Sequence, residues 1–366
     1  MKIIICGVTG NIGQQTLDVA KKFNHEIVGI TFNSQHNKAK QIIDQLKIPY
    51  YFCHNDSTKS NVKDLHDLIL NTKPQMVVNA ISGYHGLNVS SLVLNHKIDL
   101  GLANKESMVI AGHWLKQIAN KNKVTIYPID SEHSTFKQLL NLINKNAVKN
   151  YLITASGGPF WGFSENKLKL VTLNQTLNHP TWKMGAKISI DSATLANKAF
   201  EIIEAFYFFN SKNIIPIRHK QSIIHAALQL KNNSYIFGGS IPDMRLAIQM
   251  CLDKYKNSND SLVKPLNLIN LDLSFEAIDE NNYPLLKIAK DVIDKPASTR
   301  GAVFNVVNDF AVNLFMQKQI NFFEITKFIT NFYYRYKHKK ISGIVSVYEL
   351  INSLLNQLNL TWKDYL

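Results

Sequence analysis

Residues 2–13, KIIICGVTGNIG, place an apolar run directly before a glycine-rich loop. Gly7, Gly10 and Gly13 follow a predicted strand at 2–6 and open a predicted helix at 11–23. Glycines let the backbone approach a pyrophosphate closely, and a helix N-terminus supplies N–H donors with a favourable dipole. A tight turn in an ordinary α/β protein is the alternative. The position of the loop at the first strand of a series favours dinucleotide binding.

Short apolar runs then alternate with amphipathic stretches as far as residue 149. Further strands are predicted at 26–31, 76–79, 99–102 and 124–129. Further helices are predicted at 37–46, 86–95 and 112–120. Strands separated by helices in this way form parallel β-α-β units. The fold class is therefore predicted to be α/β, with a Rossmann-like, doubly wound parallel sheet over residues 1–149.

The pattern changes from residue 150. A central α+β domain is predicted over 150–253, with a strand at 151–154, a helix at 192–209, and a hairpin of 221–230 with 234–237. Residues 254–281 are rich in Asn, Asp and Ser and are predicted to be a linker. Apolar residues at helical spacing predict a C-terminal helical bundle over 282–366, with helices at 285–290, 302–317, 323–334 and 344–358.

The net charge alone selects no partner. There are 41 Lys and Arg residues against 27 Asp and Glu, which gives a formal charge of +14. Such a balance can attract nucleic acid, membranes or phosphorylated metabolites. The lysines are spread along the chain, however, and only YYRYKHKK at 333–340 interleaves bases with aromatics. We interpret that stretch as the solvated end of a helix and predict no nucleic-acid partner.

The cysteines and the hydropathy indicate the compartment. Cys6, Cys53 and Cys251 are far apart and lack CxxC spacing, which argues against a disulfide framework and a zinc site. No run reaches the 18 or so consecutive apolar residues that a membrane span needs. We therefore expect a cytoplasmic protein with no membrane partner.

The end of the second predicted strand bears on the nicotinamide cofactor. NAD-binding folds usually place a carboxylate there to accept a hydrogen bond from the ribose 2′-OH. Residues 31–36, TFNSQH, contain no acid, so NADP is favoured over NAD. No lysine or arginine lies in that stretch either.

Two pairs of charged residues follow later strands. Asp130 and Glu132 flank Ser131, and in an extended segment their side chains would point to the same face. Two carboxylates on one face suit Mg²⁺ or Mn²⁺. Helix capping by Asp130 or Ser131, with Glu132 in the first turn, is an equal alternative. Lys105 and Glu106 lie in ANKES at 103–107 and could face a ligand, although a solvated helix start is the simpler interpretation.

The stretch HPTWKMGAKISIDSATLANKAFE at 179–201 concentrates polar and aromatic residues. Asn197 and Glu201 share a helix face, with Lys198 adjoining it at i+3 from Glu201, and a surface ion pair is the alternative. Ser156, in the turn ASGGPF, suits a phosphate as well as it suits a plain turn. Other residues have equally ordinary interpretations: a helix cap for Ser192, core packing for Trp182 and Met184, and a surface loop for His179.

Taken in order, these motifs resemble 1-deoxy-D-xylulose 5-phosphate reductoisomerases. GVTGNIG, ANKES, IDSEH, ASGGPF, HPTWKMGAKISIDSATLANKAFE, QSIIHAALQL, IPDMR and AVFNVVNDFAV follow one another as in that family, over essentially the full length. The resemblance implies an NADPH- and metal-dependent enzyme. It would rearrange 1-deoxy-D-xylulose 5-phosphate and reduce the product to 2-C-methyl-D-erythritol 4-phosphate. It also implies a homodimer.

The resemblance further implies the roles of individual residues. The divalent metal, Mg²⁺, Mn²⁺ or Co²⁺, would be held by Asp130, Glu132 and Glu201, which with Lys105 form the catalytic set. NADPH would contact Gly7, Thr9, Gly10, Asn11, Ile12, Gly13, Ser34, Asn104, Glu106, Met184 and Gly185. The substrate would contact Lys105, Ser131, Glu132, Ser156, His179, Trp182, Ser192, Asn197, Lys198 and Glu201. Trp182 would lie on a closing loop, and His225 would shape the pocket wall.

Three departures and two competing functions accompany this interpretation. Ser34 stands where many members carry a basic residue, Ala186 replaces a usual basic residue, and Lys220 replaces a usual proline.

The first competing function is that of another NADP-dependent Rossmann oxidoreductase acting on a small aldehyde or phosphorylated metabolite, such as a semialdehyde dehydrogenase with a cysteine nucleophile. The second is a basic nucleotide-sensing or nucleic-acid-binding protein that merely retains the fold.

Overall fold

Apolar runs form strands and amphipathic stretches form helices in a computed structural model that describes residues 1–178, 181–182, 185–256 and 260–366. Its strands are β1 (Lys2–Cys6), β2 (Glu26–Phe32), β3 (Tyr50–Cys53), β4 (Met76–Asn79), β5 (Asp99–Leu102), β6 (Ile126–Pro128), β7 (Val148–Ala155), β8 (Ile214–Arg218), β9 (Ile224–Leu230), β10 (Tyr235–Gly239) and β11 (Glu276–Ala277). Its helices are α1 (Asn11–Lys22), α2 (His36–Leu46), α3 (Leu65–Thr72), α4 (Gly86–Asn95), α5 (Lys105–Asn122), α6 (Ser131–Leu140), α7 (Glu165–Lys169), α8 (Leu173–Leu177), α9 (Ala186–Ala193), α10 (Ala196–Phe209), α11 (Met244–Leu252), α12 (Leu285–Asp294), α13 (Arg300–Met316), α14 (Phe322–Arg335) and α15 (Ile344–Thr361).

The chain divides into two compact units that alternate along the sequence. Unit 1 comprises Met1–Ser107, Leu115–Ser134 and Asp243–Lys264; unit 2 comprises Met108–Trp114, Thr135–Pro242 and Pro265–Leu366. This division differs from the predicted boundary at 149 and from the predicted linker at 254–281. The physical reason is α11, which packs on α1 and adds Ile248 and Leu252 to the core of unit 1.

Unit 1 is a parallel sheet whose described strands run in the order β3-β2-β1-β4-β5-β6. The predicted α/β class and doubly wound sheet are confirmed. Ile3, Ile4 and Ile5 of β1 are all fully buried, as expected where helices cover both faces of a parallel sheet. The strand order reverses at β1, and open α/β sheets bind ligands at such a switch point. β3 and α3 are additional to the predicted elements.

The helix predicted at 112–120 is longer than expected. It begins at Lys105, and Ala111 inside it has non-helical angles of φ −138° and ψ 21°. A Cβ on Gly112 would lie 2.4 Å from the Tyr207 ring, so the chain passes very close to α10 here. The predicted start thus coincides with the residue after a kink, because the apolar periodicity is interrupted there.

Unit 2 contains a mixed sheet with described strands in the order β10-β9-β7-β8-β11. β7 and β8 are parallel, and β9 and β10 form the predicted hairpin. The prediction of a single helix at 192–209 is wrong, because α9 ends at Ala193 and α10 begins at Ala196. Leu195 between them adopts a left-handed φ of 60° and is buried. The four predicted C-terminal helices are observed as α12–α15.

The basic aromatic stretch at 333–340 is only partly a solvated helix end. α14 ends at Arg335, and Tyr334 is exposed, but Tyr333 is buried and its hydroxyl donates to Asp291 at 2.8 Å. The Tyr333 ring therefore belongs to the core and is not available to stack on a nucleic-acid base.

Among the described residues, none of the helices combines the length and apolar character that crossing a bilayer requires.

The geometry of the glycine loop predicts that alanine destabilises the protein more at position 13 than at position 10. A Cβ on Gly13 would lie 2.4 Å from the Gly7 carbonyl oxygen, whereas a Cβ on Gly10 would lie 3.4 Å from it. We expect Gly13→Ala to lower the free energy of unfolding by about 1–3 kcal/mol, because the backbone must shift. Gly10→Ala, the matched control, should cost clearly less. Urea unfolding of both variants measures this, and equal losses would contradict it.

Candidate active site

The glycine loop is built by contacts between backbone groups. Gly7 has a φ of 81°, and its N–H donates to the Thr31 carbonyl at 3.0 Å. The Gly10 N–H donates to the Gly7 carbonyl at 3.1 Å, and Gly10 is the N-cap of α1. Since a glycine N-cap has no side chain, the first turn of α1 is a suitable site for an anion. The predicted pyrophosphate contacts at Gly7, Thr9, Gly10, Asn11, Ile12 and Gly13 form this loop.

The loop after β2 lies next to the glycine loop. Ser34 is exposed, as a residue that meets a cofactor should be before binding. Lys38, in the first turn of α2, donates from its Nζ to the Thr9 carbonyl at 2.8 Å. Lys38 is not among the predicted site residues. The available signal in the sequence was that Lys38 is the first lysine or arginine after residues 31–37, which contain neither.

Asn104 and Glu106 of the ANKES motif are buried and fix the loop before α4. The Asn104 amide donates to the Ile81 carbonyl at 2.7 Å and to the Glu106 carboxylate at 2.9 Å. Glu106 accepts from the Gly83 N–H at 3.1 Å, and Asn104 accepts from the Ser107 N–H at the start of α5. Both side chains hold the loop in place, and their contact with NADPH stays a prediction.

Lys105 forms a nearly buried ion pair with Asp130. The Nζ atom lies 2.6 Å from Oδ2, and the side chains are 11% and 12% exposed, so the interpretation as a solvated helix start is wrong. Burial would raise the pKa of Asp130, but the charge of Lys105 and the nearby His133 outweigh it. The pKa of Asp130 is therefore held well below its usual range, and this carboxylate is ionised at neutral pH.

Asp130, Ser131 and Glu132 lie at a helix start and not in an extended segment. α6 begins at Ser131, and the Glu132 N–H donates to Asp130 Oδ1 at 3.3 Å. The Ser131 hydroxyl donates to the Glu132 carboxylate at 2.5 Å. The capping alternative is thus observed. It does not compete with cation binding, because a carboxylate has two oxygens and about four lone-pair sites.

In unit 2, the ASGGPF turn contacts the end of α9. Gly157 and Gly158 have φ values of 89° and 65°, and the Gly158 N–H donates to Ser156 Oγ at 3.2 Å. A Cβ on Gly158 would lie 2.7 Å from Ala193 Cα and 3.3 Å from the Ser192 carbonyl oxygen. Only glycine allows this approach, which brings the predicted phosphate residues Ser156 and Ser192 into one neighbourhood.

The first two turns of α10 carry the predicted polar face. Asn197 and Lys198 both donate to the Glu201 carboxylate. Lys198 is 3% exposed and Glu201 is 1% exposed, so the surface ion-pair alternative is wrong. A cation and a carboxylate this deeply buried are stabilised only by each other and by further polar partners. The pair therefore places a positive charge and carboxylate oxygens inside unit 2.

The segment around Trp182 is described in part. The Trp182 ring centroid lies 6.0 Å from that of His225, whose Nε2 shares a 3.1 Å hydrogen bond with Ser240. Gly185 is the N-cap of α9. The predicted sites His179 and Met184 lie outside the described residues.

The cysteines do not fit the semialdehyde dehydrogenase alternative. Cys6, Cys53 and Cys251 are all buried and unpaired. Burial raises the pKa of Cys6 to about 12 and also raises that of Cys251. Since the thiolate is the reactive form of cysteine, these two are poor nucleophiles.

Comparison with known proteins identifies the family. A model of 1-deoxy-D-xylulose 5-phosphate reductoisomerase matches residues 3–72 and 55–112, and models of its C-terminal domain match 126–209 and 240–353. The reductoisomerase of Mycoplasmoides gallisepticum is 46% identical over 353 residues, which are 96% of each chain.

The chain belongs to the 1-deoxy-D-xylulose 5-phosphate reductoisomerase family. The relative from Malacoplasma penetrans is 40% identical over 328 residues. The matched region covers 90% of this chain and 86% of the relative. A solved reductoisomerase from Zymomonas mobilis in complex with NADPH has a TM-score of 0.86 at 27% identity, with 99% and 98% of the two chains covered. A second, in complex with NADPH, fosmidomycin and magnesium, has the same TM-score and coverage at 25% identity.

The residues of this reductoisomerase fit both groups that the family implies. The glycine loop is held in shape by close backbone contacts that a Cβ at Gly7 or Gly13 would break, and its Gly10 N-cap leaves the start of α1 without a capping side chain, which suits a pyrophosphate. Asp130 and Glu132 are oxygen donors in unit 1, and Glu201 is a buried oxygen donor in unit 2. Oxygen donors of this kind suit Mg²⁺ and Mn²⁺.

The buried pair on α10 predicts an asymmetric mutational effect. Lys198→Met would leave the Glu201 carboxylate buried without its cation, so we expect a loss of about 3–5 kcal/mol in the free energy of unfolding. The double variant Lys198→Met/Glu201→Gln should recover part of that loss. Urea unfolding in metal-free buffer measures both.

Lys212→Met is the control in the same unit. It removes an exposed ion pair with Asp294, so its effect should stay within about 1 kcal/mol. If Lys198→Met were as mild as this control, the α10 pair would not be an important buried interaction.

Proposed function

We propose that this reductoisomerase rearranges 1-deoxy-D-xylulose 5-phosphate and reduces the product with NADPH to 2-C-methyl-D-erythritol 4-phosphate. The observation that carries the proposal is the buried polar face of α10. Asn197 and Lys198 hold Glu201 there, in the same unit as the Ser156 turn and Ser192. Donors for a phosphate and a carboxylate for a cation thus lie in one unit, as a small phosphorylated substrate requires.

Asp130, Glu132 and Glu201 are the proposed ligands of Mg²⁺, Mn²⁺ or Co²⁺. A bound divalent cation would act as a Lewis acid on substrate oxygens and stabilise developing negative charge. The low pKa of Asp130 supports the assignment, because its carboxylate needs no deprotonation before binding. Lys105, already 2.6 Å from Asp130, would orient a substrate oxygen together with Ser131.

Ser156, Ser192, Asn197 and Lys198 would bind the substrate phosphate, with His179 assisting. The two serines contribute hydroxyl donors, and Lys198 contributes a charge that burial makes effective. α10 is 14 residues long, and its N-terminus adds a favourable dipole at Asn197 and Lys198. Binding energy at the phosphate can then orient the distant reacting carbons.

Unit 1 would hold NADPH through the glycine loop, with Ser34 at the 2′-phosphate. Gly185 and Met184 would contact the cofactor, and Met184 would approach the nicotinamide. Trp182 would close over the substrate and exclude water from the reaction.

The direct test is consumption of NADPH with 1-deoxy-D-xylulose 5-phosphate, with and without Mg²⁺ or Mn²⁺. We expect oxidation only with the cation, and NMR should show the branched product. A folded protein that binds NADPH but consumes none with this substrate would exclude the proposed reaction. Turnover that is indifferent to chelators would exclude the metal assignment.

Glu201→Gln tests catalysis, and its stability is measured alongside because the change also removes the anionic partner of the buried Lys198. We expect at least a hundredfold loss of turnover, because an amide is a poorer ligand for a hard cation than a carboxylate. The affinity for NADPH should remain within about twofold, since the glycine loop is unchanged. Fluorescence titration of NADPH and a thermal unfolding curve provide the controls. Loss of cofactor binding together with turnover would contradict the ligand assignment.

A homodimer in the cytoplasm completes the proposal. Buried, unpaired cysteines at all three positions are compatible with a reducing compartment. Sedimentation equilibrium would measure the oligomeric state, and a monomer at micromolar concentration would contradict the dimer.

A further inference from the structure

The 2′-phosphate of NADPH needs a positive charge that the loop after β2 does not supply. This phosphate distinguishes NADPH from NADH and carries up to two negative charges. Residues 31–37, TFNSQHN, contain neither lysine nor arginine. Ser34 can donate one neutral hydrogen bond only. Some other residue must therefore neutralise the phosphate if the enzyme prefers NADPH, as the proposed function requires.

Lys38 is the first lysine after this loop, and its ammonium group reaches the glycine loop. It lies in the first turn of α2, and Nζ donates to the Thr9 carbonyl at 2.8 Å. The residues are 29 positions apart in sequence, so the contact joins the β1–α1 loop to the β2–α2 loop. In dinucleotide-binding folds, the adenosine ribose lies where these two loops meet.

The ammonium group retains hydrogen-bonding capacity in this position. A lysine has three N–H donors, and the Thr9 carbonyl accepts one. Lys38 is half-buried, which strengthens its attraction to an anion relative to an exposed lysine. Lys40, two residues further along α2, is exposed.

The start of α2 adds to the positive field. Its first turn carries no acid, and the side chain of Gln35, a described residue, makes no capping hydrogen bond. The positive end of the helix dipole is therefore not compensated locally. His54 shares a 3.1 Å hydrogen bond with Thr31, but burial and the nearby His85 lower its pKa. His54 is thus mainly neutral at pH 7 and does not supply the positive charge.

We propose that Lys38 binds the 2′-phosphate of NADPH and makes this reductoisomerase select NADPH over NADH. The side chain would keep the Thr9 contact or exchange it for the phosphate without a change in backbone. It thereby provides the charge that Ser34 lacks. Lys38 is a specificity-determining residue and takes no part in the rearrangement.

The test compares Lys38→Met with Lys40→Met by calorimetric titration of NADPH and NADH. Removing a charged hydrogen bond should weaken NADPH binding roughly tenfold to a hundredfold. NADH affinity should stay within about twofold of the wild type. Lys40→Met should change neither, and Lys38→Arg should retain most of the discrimination. Titrating adenosine 2′,5′-bisphosphate and 5′-AMP into the same variants repeats the comparison with ligands that lack the nicotinamide.

Equal weakening of NADPH and NADH by Lys38→Met would mean that the lysine supports the loop and does not bind the 2′-phosphate, which would overturn the proposal. Unchanged binding of both would overturn it too. The result is separable from the proposed reaction because no substrate is present. A wild type that selects NADPH through Lys38 but does not consume it with 1-deoxy-D-xylulose 5-phosphate would refute the reaction alone.

Discussion

Unit 1 depends on the close approach of backbone between the first strand and the first helix. A Cβ on Gly13 would lie 2.4 Å from the Gly7 carbonyl oxygen, and a Cβ on Gly7 would lie 2.8 Å from the Ala80 carbonyl oxygen. Only residues without a side chain allow β1, α1 and β4 to pack this tightly. The same approach exposes the N–H groups of the first turn of α1 to an anion. Packing and cofactor binding therefore have one cause.

Unit 2 uses a comparable device at the α9–α10 junction. The left-handed Leu195 ends one helix and allows the next to start in a new direction. The junction costs conformational energy, which burial of the leucine side chain offsets. It separates Ser192 from Asn197 by a turn and gives α10 its own N-terminus. A single continuous helix would have offered no N-terminal dipole at Asn197 and Lys198.

Local patterns predicted many elements because their causes are local. β1, β4, β5 and α4 match their predicted ranges, since apolar runs and helical periodicity depend on residues close in sequence. β3 was missed because YYFC is short and only partly buried, and α3 because it spans eight residues. The proximity of Asn197, Lys198 and Glu201 was predicted, since helical spacing alone places Asn197 and Glu201 on one face with Lys198 beside it.

By itself, the sequence determined the α/β class, the nucleotide loop, the polar face of α10 and, through the order of its motifs, the family. Tertiary structure alone decided that α11 returns to unit 1, that Lys105 pairs with Asp130, and that Lys38 reaches Thr9. Each of these joins residues at least 25 positions apart or depends on which surfaces become buried. Periodicity reports the preference of a segment for a conformation. It does not report which distant groups that segment meets, because this is decided by packing and by the need to pair buried charge.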